Sequence, residues 1–331
     1  MNLSKRESVI LLGLLVGGFL IVLVAPFVGM QAISIEHVLD GAKFPVDYDI
    51  FWHVRVPRVL LAWLAGAALA LAGMTFQSLF RNPLATPFTL GIASGASLGA
   101  AIAIRLGWTV LWLGVSGVSI AAFVGALASV LLVFGLTRLR RGFSSGTLLL
   151  AGVAVGFFFS SVILFVQYIS SFSESYRIIR WLMGGLEVVG MDAPLSLLPF
   201  LVVGAGIIFY LTRELNLLAT GEDMAASRGV DVKLTRQLLF FATSLLVGGV
   251  VALCGPIGFV GMMCPHICRL LVGPNHRVLA VATALFGGLF LTICDTFART
   301  VIAPAEIPVG VITALLGGPF FLWLLVRVRS V

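Results

Sequence analysis

Apolar residues run through this chain in blocks of membrane-crossing length, divided by short polar punctuation. A crossing helix needs about 20 mostly apolar residues. Segments 9–29, 59–79, 88–104, 110–137, 147–169, 193–212, 238–255, 257–271, 278–298 and 309–326 approach or meet that length. The expectation is an all-α, polytopic membrane protein of about ten transmembrane helices. Segment 257–271 is short and interrupted by glycine and proline. Of the 331 residues, 60% are hydrophobic and 11% charged, against roughly 25% charged in a soluble domain. No hydrophilic linker divides the chain, so residues 1–331 read as a single transmembrane domain. Lys5 and Arg6 followed by apolar Val9–Ala25 resemble a signal peptide, but no small-x-small cleavage site follows. This segment reads as an uncleaved first span.

Basic residues give the spans a direction. With the N-terminus in the cytoplasm and ten alternating spans, 14 of the 21 Lys and Arg residues lie inside and seven outside. Cytoplasmic loops carry such an excess, so both termini are expected inside. The net charge of +7 has this origin, and no basic cluster with interleaved aromatics suggests nucleic acid. Glycines repeat at four-residue spacing in Gly13/Gly17, Gly91/Gly95/Gly99 and Gly152/Gly156. That spacing lets helix backbones approach closely, here within one chain.

The longest charged stretch is Arg213–Arg236, on the cytoplasmic side. Thr220-Gly221-Glu222-Asp223 reads as a helix start, with the Thr220 hydroxyl capping and two acids at the positive helix end. Gly229 is placed to end that helix in a left-handed turn. A short surface helix of this kind, bearing Ala225, Ala226 and Ser227, reads either as a solvated loop or as a docking knob for a cytoplasmic partner.

Catalytic and metal patterns are weak. No Gly-Lys pair exists for a phosphate loop, so any ATP must be bound by another subunit. Gly95-Ala96-Ser97-Leu98-Gly99 matches G-x-S-x-G but lies in a small-residue membrane helix without an evident Asp or His partner. Cys264-Pro265-His266-Ile267-Cys268 lacks the second Cys/His pair of a structural zinc site. With Cys254 and Cys294, these cysteines read as buried thiols. Neither catalytic nor metal-binding residues are expected.

A series of linked blocks carries a resemblance. Arg55-Val56-Pro57-Arg58 opens the second span, and Leu71-Ala72-Gly73-Met74-Thr75-Phe76-Gln77 runs into Arg81-Asn82-Pro83-Leu84-Ala85-Thr86-Pro87 and Leu90-Gly91. Leu150-Ala151-Gly152-Val153, Trp181-Leu182-Met183-Gly184, Gly255-Pro256-Ile257-Gly258-Phe259-Val260-Gly261, Pro265-His266-Ile267-Cys268-Arg269 and Gly310 to Pro319 follow. In this order, over nearly the whole chain, they resemble the FecCD family of ABC-importer permeases, which serve iron-siderophores, haem and cobalamin. The resemblance implies a cobalamin-importer-permease-like fold in which the second-to-fifth and seventh-to-tenth spans form an inverted repeat. The sequence hints at this in two Gly/Pro-broken segments, around 82–91 and 255–265. It implies a homodimer, two cytoplasmic ATP-binding subunits that use ATP and Mg, and a periplasmic or lipid-anchored substrate-binding protein. The location would be a bacterial or archaeal cytoplasmic (inner) membrane, with lipid around the spans and no cofactor bound by this chain.

Residue by residue, Glu222, Ala225, Arg228 and Gly229 match the loop that couples to the ATPase. Arg55, Arg58 and Arg299 match external arginines that meet the binding protein. Asn82 and Leu84, with Ser144, Ser145 and Gly146 at the start of the fifth span, match the gate along the translocation path. Two features depart from the pattern: Cys264 and Cys268 bracket the histidine, and the external segment Val38–Trp52 carries Asp40, Asp47 and Asp49. The expected function is ATP-driven, alternating-access import of an iron-siderophore or a related metal chelate, with cobalamin or haem as alternative cargo. The rivals are an ion-driven secondary transporter, for which Asp295 with Arg299 four residues on is the only acidic candidate, and an intramembrane enzyme built on Ser97.

Overall fold

The computed structural model describes residues 4–86, 88, 91–108, 110–112, 115–139 and 145–328. Among the described residues, seven helices are long and apolar enough to cross a membrane, and three shorter apolar helices make ten apolar segments in all. They are α1 (Lys5–Val24), α4 (Val56–Leu79), α5 (Ile92–Arg105), α6 (Gly117–Leu139), α7 (Ser145–Tyr168), α9 (Asp192–Tyr210), α12 (Val232–Cys254), α13 (Val260–Val272), α14 (His276–Ala298) and α15 (Val309–Val328). Short helices lie between them: α2 (Ile35–Leu39) and α3 (Pro45–Asp49) after α1, α8 (Phe172–Leu182) after α7, and α10 (Thr212–Thr220) and α11 (Glu222–Ser227) after α9. A two-residue ladder, β1 (Leu111–Trp112) with β2 (Val115–Ser116), closes the turn between α5 and α6. The expected fold class holds: apart from that short ladder, the described residues form a multi-pass bundle of helices.

Helix α4 is the axis. Nearly all its side chains are buried, and it packs on α9, α12, α13 and α14. Its Ala/Gly-rich sequence explains this, because small side chains let four neighbours approach at once. The outer helices instead turn large apolar residues outward, such as Leu12 and Phe19 on α1 and Phe157 and Phe165 on α7. Such a surface belongs in lipid.

Helices α5 and α13 have 14 and 13 residues, about 21 and 20 Å at 1.5 Å per residue. That is short of the ~30 Å hydrocarbon core. Each follows a broken segment, and the residue before each helix is left-handed: Gly91 (φ 75°) and Phe259 (φ 67°). The breaks lie at opposite ends of the bundle. The packing repeats too, since α4 contacts α13 and α14 while α12 contacts α5 and α6. This is the inverted repeat, α4–α7 against α12–α15.

The glycine expectation holds in part. Gly95 and Gly99 sit against the α6 backbone at Gly125 and Ala121, and Gly91 faces Gly152 of α7. Gly13 and Gly17 face open space, and the glycine that seats α1 is Gly18, under the Trp63 ring. All four cysteines are free thiols and buried, as expected.

The tightest helix contact generates a test. A Cβ on Gly73 of α4 would land on the Gly261 carbonyl of α13. Both partners are backbone, so no side chain can rotate away. Gly73→Ala is expected to cost about 1–3 kcal/mol by overpacking and to lower the melting temperature in detergent. Gly13→Ala is expected not to lower it.

Candidate functional site

The bundle has two functional ends. At one, α10 lays Leu215 and Leu218 into the core and Gly221 turns the chain into α11. Gly221 has φ 136° and ψ 151°, a conformation open essentially to glycine alone. Ala225 is fully buried, and Asp223, Met224, Ala226, Ser227 and Arg228 face outward. The helix ends as expected at left-handed Gly229 (φ 82°), whose N–H donates to Ala226 O at 3.0 Å. The expected Thr220 cap is not formed. Its hydroxyl donates back to Leu217 O at 2.8 Å, and Gly221 is the N-cap residue. A threonine at the end of one helix finds that carbonyl closer than the next helix start.

Glu222 is the hinge pin of this end. Its carboxylate pairs with Arg236 at the foot of α12 and lies 3.5 Å from Arg81. Arg81 opens the first broken segment in a left-handed conformation (φ 47°). The next residue, Asn82, accepts a hydrogen bond from Leu84 N at 2.9 Å, an Asx turn. Leu84 is exposed. The predicted coupling residue Glu222 and the predicted gate segment at Asn82 and Leu84 are therefore linked by one ion pair. Ser145 and Gly146 open α7, and Gly146 faces open space. Ser144 lies outside the described residues.

A second link was not visible in the sequence. Asn216 of α10 accepts at Oδ1 from His276 N (2.9 Å) and, with the ring proton on Nδ1, from His276 Nδ1 (2.8 Å). His276 Nε2 bonds Ser78 near the end of α4. Deeper in the same helix, Gln77 donates to Met262 O at 3.1 Å and accepts from Arg269 at 3.2 Å. The two short helices α10 and α11 thus reach the same end of α4. No short pattern could have announced this, because the partners lie 60 and 198 residues apart.

At the opposite end, the rim, Arg55, Arg58 and Arg299 are 7%, 7% and 4% exposed. Arg55 donates to Pro26 O (3.1 Å), Phe27 O (3.3 Å) and Gln31 O (2.6 Å), and Arg299 donates to Ala25 O (2.6 Å). These carbonyls lie in the turn and loop just past α1, and Ala25 O also accepts from Val28 N at 3.1 Å. Arg58 grips Asp295 through Nε (3.0 Å) and Nη2 (2.9 Å) and Glu306 through Nη1 (2.7 Å). The rim arginines therefore spend their donors inward, and a docking protein would meet the backbone they hold. Asp295 pairs with Arg58 and not with Arg299, four residues on in its own helix. Asp295 is consequently a neutralised structural charge rather than an ion site. In the acidic segment, Asp47 is likewise engaged, by Gln31 (2.7 Å) and His37 (2.6 Å).

Three of the sequence blocks also meet at the rim. Gly185 N donates to Cys254 O at 2.8 Å and Gly310 N to Gly184 O at 3.2 Å. Ser97 is buried in α5 and has no hydrogen-bonded His or Asp among the described residues.

Comparison with known proteins fits this geometry. A model of the FecCD transport family matches residues 13–327. The chain is 38% identical to the vitamin B12 import system permease protein of Salmonella typhi, over 93% of each chain. It is 43% identical to the cobalamin import system permease protein of Halobacterium salinarum, over 74% of this chain and 65% of that one. Among solved structures, a metal-chelate type ABC transporter in an inward-facing conformation superposes with a TM-score of 0.86 at 32% identity, covering 96% of this chain and 99% of that one.

The rim cluster yields a stability test. Asp295→Ala leaves Arg58 buried without its bidentate partner and is expected to cost about 3–5 kcal/mol. Arg58→Met combined with Asp295→Leu removes both charges and is expected to recover most of that loss. Thermal unfolding in detergent measures both, and equal losses would show that the ion pair itself stabilises the rim.

Proposed function

The chain belongs to the FecCD transport family and is a permease of the ABC-importer type, and on that premise we propose that it carries a large metal chelate from a binding protein into the cytoplasm. Two copies of this chain enclose the path. Two cytoplasmic ATP-binding subunits, using ATP and Mg, seat the exposed face of α11 around Arg228. The binding protein docks on the rim whose backbone Arg55, Arg58 and Arg299 hold in place. The observation that carries this reading is the Glu222 bridge, which ties the exposed coupling helix to Arg81 and hence to Asn82 and Leu84. A pull on α11 by the closing motor moves the gate segment, and Ser144, Ser145 and Gly146 at the start of α7 form its other lip. The small residues there let two copies close against each other. Both termini face the cytoplasm, in keeping with the excess of basic residues on that side.

For the cargo, the permeases of Salmonella typhi and Halobacterium salinarum are named for vitamin B12 and cobalamin. Those names move a corrinoid ahead of the ferric siderophore expected from sequence, and haem stands third. The path is not described by any ligand-specific side chain, so selectivity lies in the binding protein.

Two measurements test the proposal. In vesicles containing the permease, its ATP-binding subunits and its binding protein, Arg228→Glu and Glu222→Gln are each expected to lower uptake about tenfold, the factor given by ~1.4 kcal/mol of lost contact. Uptake and ATP hydrolysis that stay coupled at wild-type rates would overturn the assignment of α11. Mass spectrometry of the ligand retained on the purified binding protein is expected to find a corrinoid. A ferric siderophore there would overturn the cargo and leave the importer reading standing.

A further inference from the structure

Beside the rim lies a cavity of about 350 Å³ that the transport reading does not use. Arg177 and Arg180 of α8, Ser116 of β2, Ser119 in the first turn of α6, and Glu187 give it a polar mouth. A second cavity of about 350 Å³ adjoins it and shares Ser119 and Leu253. Its walls are apolar, with Ile120, Phe123 and Phe200 prominent. A third, narrower space continues past Phe123 to Leu127, Val130 and Phe241. The first two form one groove along α6, walled by α12 and by Ser196 and Phe200 of α9, and the third is a small extension of about 40 Å³. Along α6 the groove is lined by Ser119, Ile120 and Phe123, with Leu127 and Val130 at the extension, residues that share a helix face by their three- and four-residue spacing. From residue 119 to 130 that face is about 17 Å long.

The charges at the mouth do not cancel. Arg105 meets Glu174 at 3.4 Å, and Arg180 pairs with Glu187. Arg177 has no hydrogen-bonded carboxylate among the described residues, and Glu174 reaches it only through space. Exposed Trp108, Tyr168 and Tyr176 stand at the same end, the residue types that mark the level of lipid headgroups. The neighbouring face of α6 is open, with Val124, Leu127 and Leu131 exposed.

We propose that this groove is a binding site for one anionic phospholipid of the rim-side leaflet, its phosphate on Arg177, Ser116 and Ser119 and the upper part of one acyl chain between α6, α9 and α12. A polar, cationic head site continuous with an apolar slot is the shape of a lipid. A soluble anion needs only the first part, and an apolar partner helix only the second. The site is independent of cargo and of ATP coupling.

The test uses the permease assembled with its partner subunits in mixed vesicles of phosphatidylglycerol and phosphatidylcholine, extracted gently and weighed by native mass spectrometry. The wild type is expected to retain phosphatidylglycerol over phosphatidylcholine. Arg177→Gln is expected to lose that preference about fivefold, the factor that about one interfacial guanidinium contributes. Ser196→Phe, which fills the second cavity, is expected to lose retained lipid of both classes, and Ser119→Phe serves if Ser196→Phe does not fold. Unchanged melting temperatures show that the variants are intact. Equal phosphatidylglycerol retention by wild type and Arg177→Gln would overturn the proposal. So would displacement of the lipid by inorganic phosphate alone, or retention unaltered in the groove-filling variant. Loss of uptake in Arg177→Gln with lipid retention intact would reassign Arg177 to the cargo.

Discussion

In hydrocarbon every backbone N–H and C=O must find a partner inside the protein, and this rule governs the architecture. Two crossing segments, α5 and α13, are too short to satisfy it as helices alone. Their preceding breaks are admissible only because other chain segments close over them. Ser129 donates to Gly91 O at 2.8 Å on one side, and Gln77 reaches Met262 O on the other. Gly184, Gly185, Cys254 and Gly310 join three distant segments through backbone hydrogen bonds at the rim. Small residues are what allow this. Wherever a break must be covered, two backbones meet with no side chain between them, as Gly73 and Gly261 do.

The same requirement explains why α4 is central and why it is held at both ends. At the rim, Arg58 fixes its start to Asp295 and Glu306. At the other end, Ser78 meets His276, and Arg81 meets Glu222. The two anchorages differ in kind. The rim pair is buried and bidentate, the sort of contact that is costly to break once made. The Glu222–Arg81 pair is half-exposed on both sides, and exposed pairs contribute roughly 0–1 kcal/mol. One end is therefore fixed and the other is adjustable, a division suited to a helix that must change the position of a loop without losing its seat.

Much of this was legible in the chain itself. Span number and type followed from hydropathy, because lipid demands uninterrupted apolar length. The short helix at 222–227 was legible from its acidic start and its terminal glycine. Local chemistry failed where a longer-range partner won. The Thr220 hydroxyl turned back to Leu217 O, and Asp295 chose Arg58, 237 residues away, over Arg299 on its own helix. The rim arginines looked like outward-facing charges because sequence gives position along the chain but not which carbonyls lie within reach. Gly13 and Gly17 show the converse: a packing motif is only an opportunity, and α1 used Gly18 instead.

The burial of charge also bears on where the driving energy enters. A secondary transporter needs an ionisable group in the membrane whose charge state changes as it works. Here the acidic candidate, Asp295, is locked to Arg58, and freeing it would leave its buried carboxylate without that partner. The groups that can exchange partners cheaply are Glu222 and Arg81, both at the end that carries α11. Work delivered there reaches α4 through contacts of low cost, whereas work delivered at the rim would first have to break the buried Arg58–Asp295 pair. The distribution of pairing strength thus favours a lever pulled from the α11 end, with the rim as its fulcrum.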